Sequence, residues 1–434
     1  MIFGDDSALT RLKWAFESCK NGAWGGEPDG ETDTICIRAA DFNGDLGTLA
    51  EGERTLRAID DETYFKVGLR AGDIVLEKSG GGEKQPVGRA VIYKGSERAV
   101  CSNFLARCRP SEVVISEYLN YLLLAIYKVR GTYPHIKQTT GIQNLDIASF
   151  LNIRVRLPSI NTQERITAFL DKKTAQIDKL IEKKRALLDR LTEKRQALIT
   201  QAVTKGLNPN VRMKDSGINW LGQIPAHWHL SRLRYLVRDG VGLQMGPFGG
   251  MLTDLSPEPT GFKLYGQENT ISGDFGLGSR WMEEERFHDL ARYHLHAGDL
   301  VITRKGSLGS CRRFPADALP GLADSDTIII RVDEMKLQSE LAITLLHDSA
   351  YVAAQIESTR RGAILAGLNS KVVGDLLLAC PDSDEQSAIA RWCATFTANM
   401  DLLTGTIESS IIRTNKYRSA LVTAAVTGQI KGLQ

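Results

Sequence analysis

The chain has 434 residues, 42% of them hydrophobic and 24% charged, with 54 Lys and Arg against 52 Asp and Glu and a formal net charge of +2. That length predicts two to four domains, and so even a balance neither demands nor excludes nucleic acid as a partner. No stretch approaches 18 uncharged apolar residues, and the opening MIFGDDSALTRLKWAF carries Asp5, Asp6, Arg11 and Lys13, which predicts neither a membrane span nor a signal peptide and favours a cytoplasmic protein.

Residues from about Arg11 to Leu157 read as a first globular unit. Short β-like runs follow one another: TICIRA at 34 to 39, AGDIVLEKSGGG at 71 to 82, then RAVIYKG and AVCSNFLARCR. A helix is predicted from Ser111 to Val129, with Ser111 as its cap and Tyr118, Leu122, Ala125 and Ile126 on one face. After Gly131 the run TYPHIKQTTGIQNLDIASFLNIRVRLP predicts a polar loop, a short turn of helix and a last strand.

From Leu157 to Val203 the pattern changes period. Ile166, Leu170, Ile177, Leu180, Leu187, Leu191 and Leu198 recur in steps of three, four or seven, with no Pro or Gly inside, which predicts one long helix. About 40 helical residues at 1.5 Å each make a rod on the order of 60 Å, too long for one small domain to bury. Eleven Lys or Arg stand against six Asp or Glu between Glu164 and Lys205, a basic face suited to solvent or to lying beside phosphates. The following GLNPNVRMKDSGINWLGQIPAHWHL, rich in Gly, Pro and Asn, reads as an ordered linker anchored by Trp220 and Trp228.

The rest of the chain repeats the first part. Shifted by 223 positions, Pro158 falls on Pro381, Gln163 on Gln386, Ile166 on Ile389, and Ala202 and Val203 on Ala425 and Val426, with no gap. Arg-Leu-Lys-Trp at 11 to 14 resembles Arg-Leu-Arg-Tyr at 232 to 235; HAGDLVITRKGSLG answers RAGDIVLEKSGGG; and a helix around Ser339 to Glu357 answers the one at 111 to 129. The closing helix presents Phe396, Ile407 and Tyr417 where the first has Lys173, Lys184 and Lys194. Such complementary defects predict that the two helices pair as an intramolecular coiled coil, the alternative being two separate surface helices.

A globular unit ending in G-x-x-N-L and L-P, then LPSINTQERI with a long helix behind it, then MKDSGINWLGQIPAHW, then the whole pattern again, resembles the specificity (DNA-recognition) subunit of bacterial type I restriction-modification systems. The resemblance implies an α+β fold: two similar mixed α/β target-recognition domains separated by two long antiparallel helices forming a coiled coil, from an internal tandem duplication. The corresponding boundaries are 1–157 for the first recognition domain, 158–207 for the central spacer helix, 208–380 for the linker and second domain, and 381–434 for the closing helix. It also implies double-stranded DNA, two modification (methyltransferase) subunits and restriction (endonuclease/translocase) subunits as partners. S-adenosylmethionine would then be bound by the methyltransferase partner, with no cofactor on this chain.

Sequence-specific binding needs donors and acceptors on rigid supports and cations for phosphates. The A-G-D strands offer such supports, making Lys78, Ser79 and Gly80 candidate DNA contacts in the first copy and Arg304, Lys305 and Ser307 in the second. A second cluster, Lys137, Gln138, Thr139, Thr140, Gln143 and Asn144, combines a cation, amides and hydroxyls, and its counterpart holds Arg360, Arg361 and Asn369. Plain β-turns and a polar helix cap would explain the same residues without DNA.

Catalytic patterns are missing. GVGLQMGPFGG and SGGGEK lack the spacing of a nucleotide loop, no N-P-P-Y/F or D-P-P-Y/F segment occurs, and His288, His294 and His296 read as structural because His296 answers Arg70. Seven scattered cysteines without a Cys-x-x-Cys pair predict reduced, mostly buried thiols. The expected protein is a non-catalytic subunit that reads a bipartite asymmetric target and recruits the enzymes acting there. The alternatives are an enzyme with its own methylation or cleavage activity and a coiled-coil scaffold without a DNA role.

Overall fold

The computed structural model describes residues 9–139, 141–253, 255–305, 307, 309–360 and 367–433. They fall into two compact units, Met1–Arg185 with Glu408–Gln434, and Ala186–Ile407. The fold is α+β, and the two units share one plan.

In the first unit a four-stranded antiparallel sheet runs in the order Phe16–Asn21, Leu105–Pro110, Ile74–Glu77, Ala90–Ile92. The central strand Ile74–Glu77 is buried at every position because both of its faces are covered. Ile74 and Leu76 pack on helix Ser116–Lys128 through Tyr118, Leu119 and Leu122, while Val75 faces Ile37, Val91 and Ala99. That second layer is a three-stranded sheet, Ala99–Cys101, Asp33–Ile37 and Thr55–Ala58, with Ala99–Cys101 and Asp33–Ile37 parallel. Each fully buried aliphatic side chain contributes about 1.5–3 kcal/mol.

The second unit repeats the arrangement with Leu243–Met245, Thr327–Ile330, Leu300–Thr303 and Cys311–Arg313 in one sheet. Phe262–Tyr265 lies in the other, parallel to Gly321–Ala323 and antiparallel to Trp281–Met282. Leu300 and Ile302 join a helical cluster with Leu341, Leu345 and Val352, and Val301 faces Tyr265 and Ile329. The A-G-D aspartates carry the same clamp twice. Asp73 accepts the Arg70 N–H at 2.9 Å and holds Arg109 with two bonds of 2.9 Å. Asp299 accepts the His296 N–H at 3.0 Å and holds Arg331 at 3.0–3.1 Å. Each carboxylate thus closes the turn before its strand and ties that strand to its neighbour.

The predicted helix at Ser111 begins five residues later, at Ser116. Ser111 is occupied elsewhere, its hydroxyl donating to the Trp14 carbonyl at 2.8 Å, and the Ile115 N–H is capped from outside by Gln163 at 2.8 Å. The Gln163 amide also donates to the carbonyls of Val113 and Pro158 at 3.0 and 2.8 Å. Gln386 reproduces this network, accepting from Gln338 N–H at 2.8 Å and donating to Lys336 and Pro381 carbonyls at 3.1 Å. The repeated Pro-x4-Gln spacing is therefore a buried lock between a long helix and its own globular unit. Gln163→Leu is expected to destabilise the first unit by about 3 kcal/mol or more, because an N–H and two carbonyls lose their partner at about 1–3 kcal/mol each where water cannot follow. Gln386→Leu should do the same to the second unit only, read as a shifted denaturant midpoint for the affected transition.

The helix expected at Ser339 to Glu357 is broken into Ser339–Ile343, a π-helical turn Thr344–Asp348, and Ala350–Arg360. Ser349 is extended, and the freed Ala350 N–H is taken by the Thr200 hydroxyl at 3.3 Å. In the first unit, the run read as a polar loop after Gly131 is a hairpin of Ile136–Thr139 and Ile142–Leu145, followed by the expected helical turn Ile147–Leu151 and strand Arg154–Arg156. Gly141 turns it with φ +84°.

The long helices are Ile160–Lys205 and Ser383–Val426. In the first unit they run antiparallel: Asp178 pairs with Arg418 at 2.9 Å, and Lys184 donates to Ser410 and Thr414 at 2.8 and 3.1 Å. In the second unit Arg195 pairs with Asp401 at 2.7 Å, and Ile199, Ala202 and Val203 share a core with Ile389, Ala390 and Cys393. The inward stripe of Ile160–Lys205 differs from the predicted one midway. Leu180 and Leu187 are exposed, and Ile181 and Leu188 turn inward in their place. The inward positions 170, 174, 177, 181, 184, 188 and 191 alternate steps of four and three, a strict heptad that Leu180 and Leu187 miss by one residue.

Candidate nucleic-acid interface

In the first unit the two predicted clusters meet in one small sheet. Ser79–Gly80 pairs with Ile142–Leu145, which pairs with Ile136–Thr139. The Ser79 hydroxyl donates to Asn144 Oδ1 at 2.7 Å, and the Leu145 N–H donates to the Lys78 carbonyl at 2.8 Å. Gln143 turns inward, where its Oε1 accepts the Val87 N–H at 3.1 Å and fixes the glycine-rich loop. Lys137 and Gln138 stay exposed on the hairpin, Lys137 bridging to Asp146 at 2.7 Å, which holds that carboxyl below its ordinary range. Thr140 lies outside the described residues, as does the side chain of Thr139.

Ser79 and Gly80 line a cleft of about 1180 Å³. Its walls carry groups that the sequence reading missed: Trp24, Arg38, Lys84, Asn103 and Phe104. Phe104 is 50% exposed and its carbonyl accepts the N–H groups of both Lys78 and Ser79, at 3.1 and 3.0 Å. The floor is the buried ion pair of Glu77 and Arg89, joined by two bonds of 2.9 Å. An open concavity with exposed aromatic rings, cations and amides can take both the flat faces and the charged edge of a nucleic acid.

The second unit places its candidates differently. Arg304 is half-buried and works as a strut, donating to the carbonyls of Leu368 and Ser325 at 3.1 and 2.8 Å with its guanidinium 5.3 Å from the Phe248 ring. Lys305 is exposed and pairs with Asp326 at 2.7 Å. Ser307 is exposed, and its carbonyl accepts from the Thr303 hydroxyl. Asn369 caps helix Ser370–Gly374 by accepting the Val372 N–H at 2.9 Å. Arg361 lies outside the described residues, as does the side chain of Arg360.

The groups that could suggest other chemistry are engaged in structure. His294 stacks on Phe287 with centroids 3.6 Å apart, and burial holds its pKa below the ordinary value. Burial pushes the Cys101, Cys311, Cys380 and Cys393 thiols up to about 12, so they remain protonated and unreactive at neutral pH. His227, Asp382 and Glu385 form a possible ligand trio among the described residues. One Glu385 oxygen already accepts from His227 and from the buried Trp228 indole, both at 2.7 Å, and Asp382 caps the Glu385 N–H at 2.9 Å. These bonds anchor the linker, as expected of its tryptophans; Trp220 adds a stack on Tyr351 at 6.1 Å. No helix among the described residues is long and apolar enough to cross a membrane.

Two repeated units thus each present polar loops on a rigid sheet. Residues 56–190 match a family described as "Type I restriction modification DNA specificity domain". Over 368 residues the chain is 23% identical to the "Type I restriction enzyme StySPI specificity subunit" of Salmonella potsdam, covering 82% of this chain and 74% of that protein. A solved structure titled "Structural basis underlying complex assembly and conformational transition of the type I R-M system" superposes with a TM-score of 0.71 at 13% identity, over 97% of this chain and 98% of that one. The HsdS subunit from Thermoanaerobacter tengcongensis superposes with a TM-score of 0.54 at 14% identity, over 99% and 100%. The chain thus carries a segment, residues 56–190, similar to the type I specificity-domain family, within a fold shared with the HsdS subunit.

Proposed function

We propose that this chain is the DNA-recognition subunit of a type I restriction-modification complex, reading a bipartite, asymmetric target with one half-site per unit. The observation that carries the reading is the duplication itself. Both units keep the aspartate clamp, the two sheets and the glutamine lock, while the polar loops between these shared parts differ. Two similar frames with dissimilar loops suit two different half-sites. On this reading 1–157 and 208–380 are the recognition domains, and the helices at 158–207 and 381–434 space them and hold the partners.

Chemistry is assigned to partners: adenine-methyltransferase subunits that bind S-adenosylmethionine, and restriction subunits where present. The chain itself acts without catalysis, in the cytoplasm. The candidate DNA contacts are Lys78, Ser79, Gly80, Lys137, Gln138 and Asn144 in one unit, and Lys305 and Ser307 in the other. Methylation mapping of DNA from cells holding this chain and its methyltransferase partner is expected to reveal one motif with two defined halves and an undefined spacer. A continuous palindromic motif, or methyl transfer by the purified single chain, would refute the assignment.

A further inference from the structure

One feature is duplicated in both units and absent from the contact set above. GAWGG at 22–26 and GPFGG at 246–250 follow equivalent edge strands, Phe16–Asn21 and Leu243–Met245, and stand 224 positions apart. In both, the first glycine donates its N–H to the first residue of the neighbouring strand, Gly22 to Leu105 and Gly246 to Thr327, at 3.0 Å. Both pass so near a carbonyl that no side chain fits: a Cβ would lie 2.0 Å from the Cys101 oxygen in one and 1.8 Å from the Asp324 oxygen in the other. The glycine after the aromatic residue has positive φ in each, +68° at Gly25 and +49° at Gly249. The backbone is thus specified at two points per turn, and what it presents is one ring.

That ring is not used for packing. Trp24 is 37% exposed and Phe248 47%, and neither belongs to a buried cluster. Each is flanked by a guanidinium from a different element, Arg57 at 4.3 Å from Trp24 and Arg304 at 5.3 Å from Phe248. Each also sits beside its unit's candidate contacts: Trp24 lines the cleft with Ser79 and Gly80, and Phe248 lies against the loop of Arg304 and Lys305.

We propose that these two turns are paired DNA probes, Trp24 for one half-site and Phe248 for the other. Each lays its ring on base or deoxyribose faces in the groove. The inference rests on the DNA-recognition reading and adds to it a contact that is apolar and independent of salt. An exposed ring among polar candidate contacts matches a ligand with flat apolar faces. Because no counterion is released by a ring contact, removing one should lower affinity without changing its salt dependence.

The test uses the full chain with its modification partners and fluorescent duplexes carrying the mapped target, or that target with one half scrambled. Trp24→Ala and Phe248→Ala are each expected to weaken target binding by about five- to a hundredfold, the range of a lost aromatic stack, with an unchanged slope of log affinity against log salt. Each variant should become insensitive to scrambling of one half-site, a different half for each. Phe248→Trp should restore binding, and its added fluorescence should be quenched by target DNA. Both alanine variants binding like the wild type, or losing affinity equally for target and scrambled DNA with a shallower salt slope, would overturn the proposal while leaving DNA recognition intact. A wild-type complex that prefers no sequence would overturn the recognition reading and this inference with it.

Discussion

Arg89→Met is expected to lower the stability of the first unit by about 3–5 kcal/mol, the cost of stranding a buried charge. Glu77 is 2% exposed and ends the central strand, where Arg89 meets it with two bonds of 2.9 Å. The carboxylate in turn holds the guanidinium pKa above its ordinary value. Arg89 also donates to the Ala39 carbonyl at 3.2 Å, so the pair fixes the cleft floor directly before Lys78 and Ser79. Replacing both partners, as Glu77→Leu with Arg89→Met, should recover much of the loss, because no charge is then left without a partner. The second unit should be untouched. There the corresponding residue is Thr303, which meets its loop through a neutral hydroxyl. Denaturant titration with hydrogen exchange on strand Ile74–Glu77 measures both effects; a loss under about 1 kcal/mol would mean that water reaches the carboxylate.

The duplication was legible because it rests on residues with obligatory partners. Pro158 and Gln163 recur as Pro381 and Gln386 because a buried amide with three hydrogen bonds tolerates no substitute. Asp73 and Asp299 recur because each closes a turn and holds an arginine. The strands are legible as short β-like runs, and the central and closing helices by their length and, in the first copy, the absence of Pro and Gly.

What stayed hidden depends on contacts distant in sequence. Ser111 looks like a helix cap until Gln163, far along the chain, supplies the cap at Ile115 instead. Leu180 and Leu187 satisfy a three-and-four pattern as well as Ile181 and Leu188 do; only the partner helix decides which pair turns inward. The hairpin at 136–145 reads as a loop because its polarity runs against its burial: Ile142 is exposed and Gln143 buried. The cleft was invisible for a different reason. Trp24, Arg38, Lys84 and Phe104 come from four separate segments, and no spacing rule joins them. The signal that could have found one of them was present: GAWGG and GPFGG match in three of five positions under nearly the shift that aligns the helices.

The cations and the amides of the cleft should separate by their salt dependence. Arg38 and Lys84 are exposed on its walls, and the nearest acid to Arg38, Asp41 at 3.8 Å, is shared with Arg54 at 3.9 Å, which leaves positive charge in surplus. If each meets one phosphate, Arg38→Gln with Lys84→Gln should reduce the slope of log affinity against log salt by about 1.8, at about 0.9 per phosphate on duplex DNA. The accompanying loss, tenfold or more at about 0.15 M salt, should be the same for target and unrelated DNA, since phosphates carry no sequence. Asn144→Ala should behave oppositely. Its amide oxygen is held by Ser79 at 2.7 Å, which fixes the amide plane and leaves the NH2 group free to donate. Losing it should cost about 1–3 kcal/mol on the target alone, with the slope unchanged. Equal losses on both DNAs from Asn144→Ala, or a loss confined to the target from the double glutamine variant, would exchange the roles assigned to these groups and move base reading from the hairpin to the cleft wall.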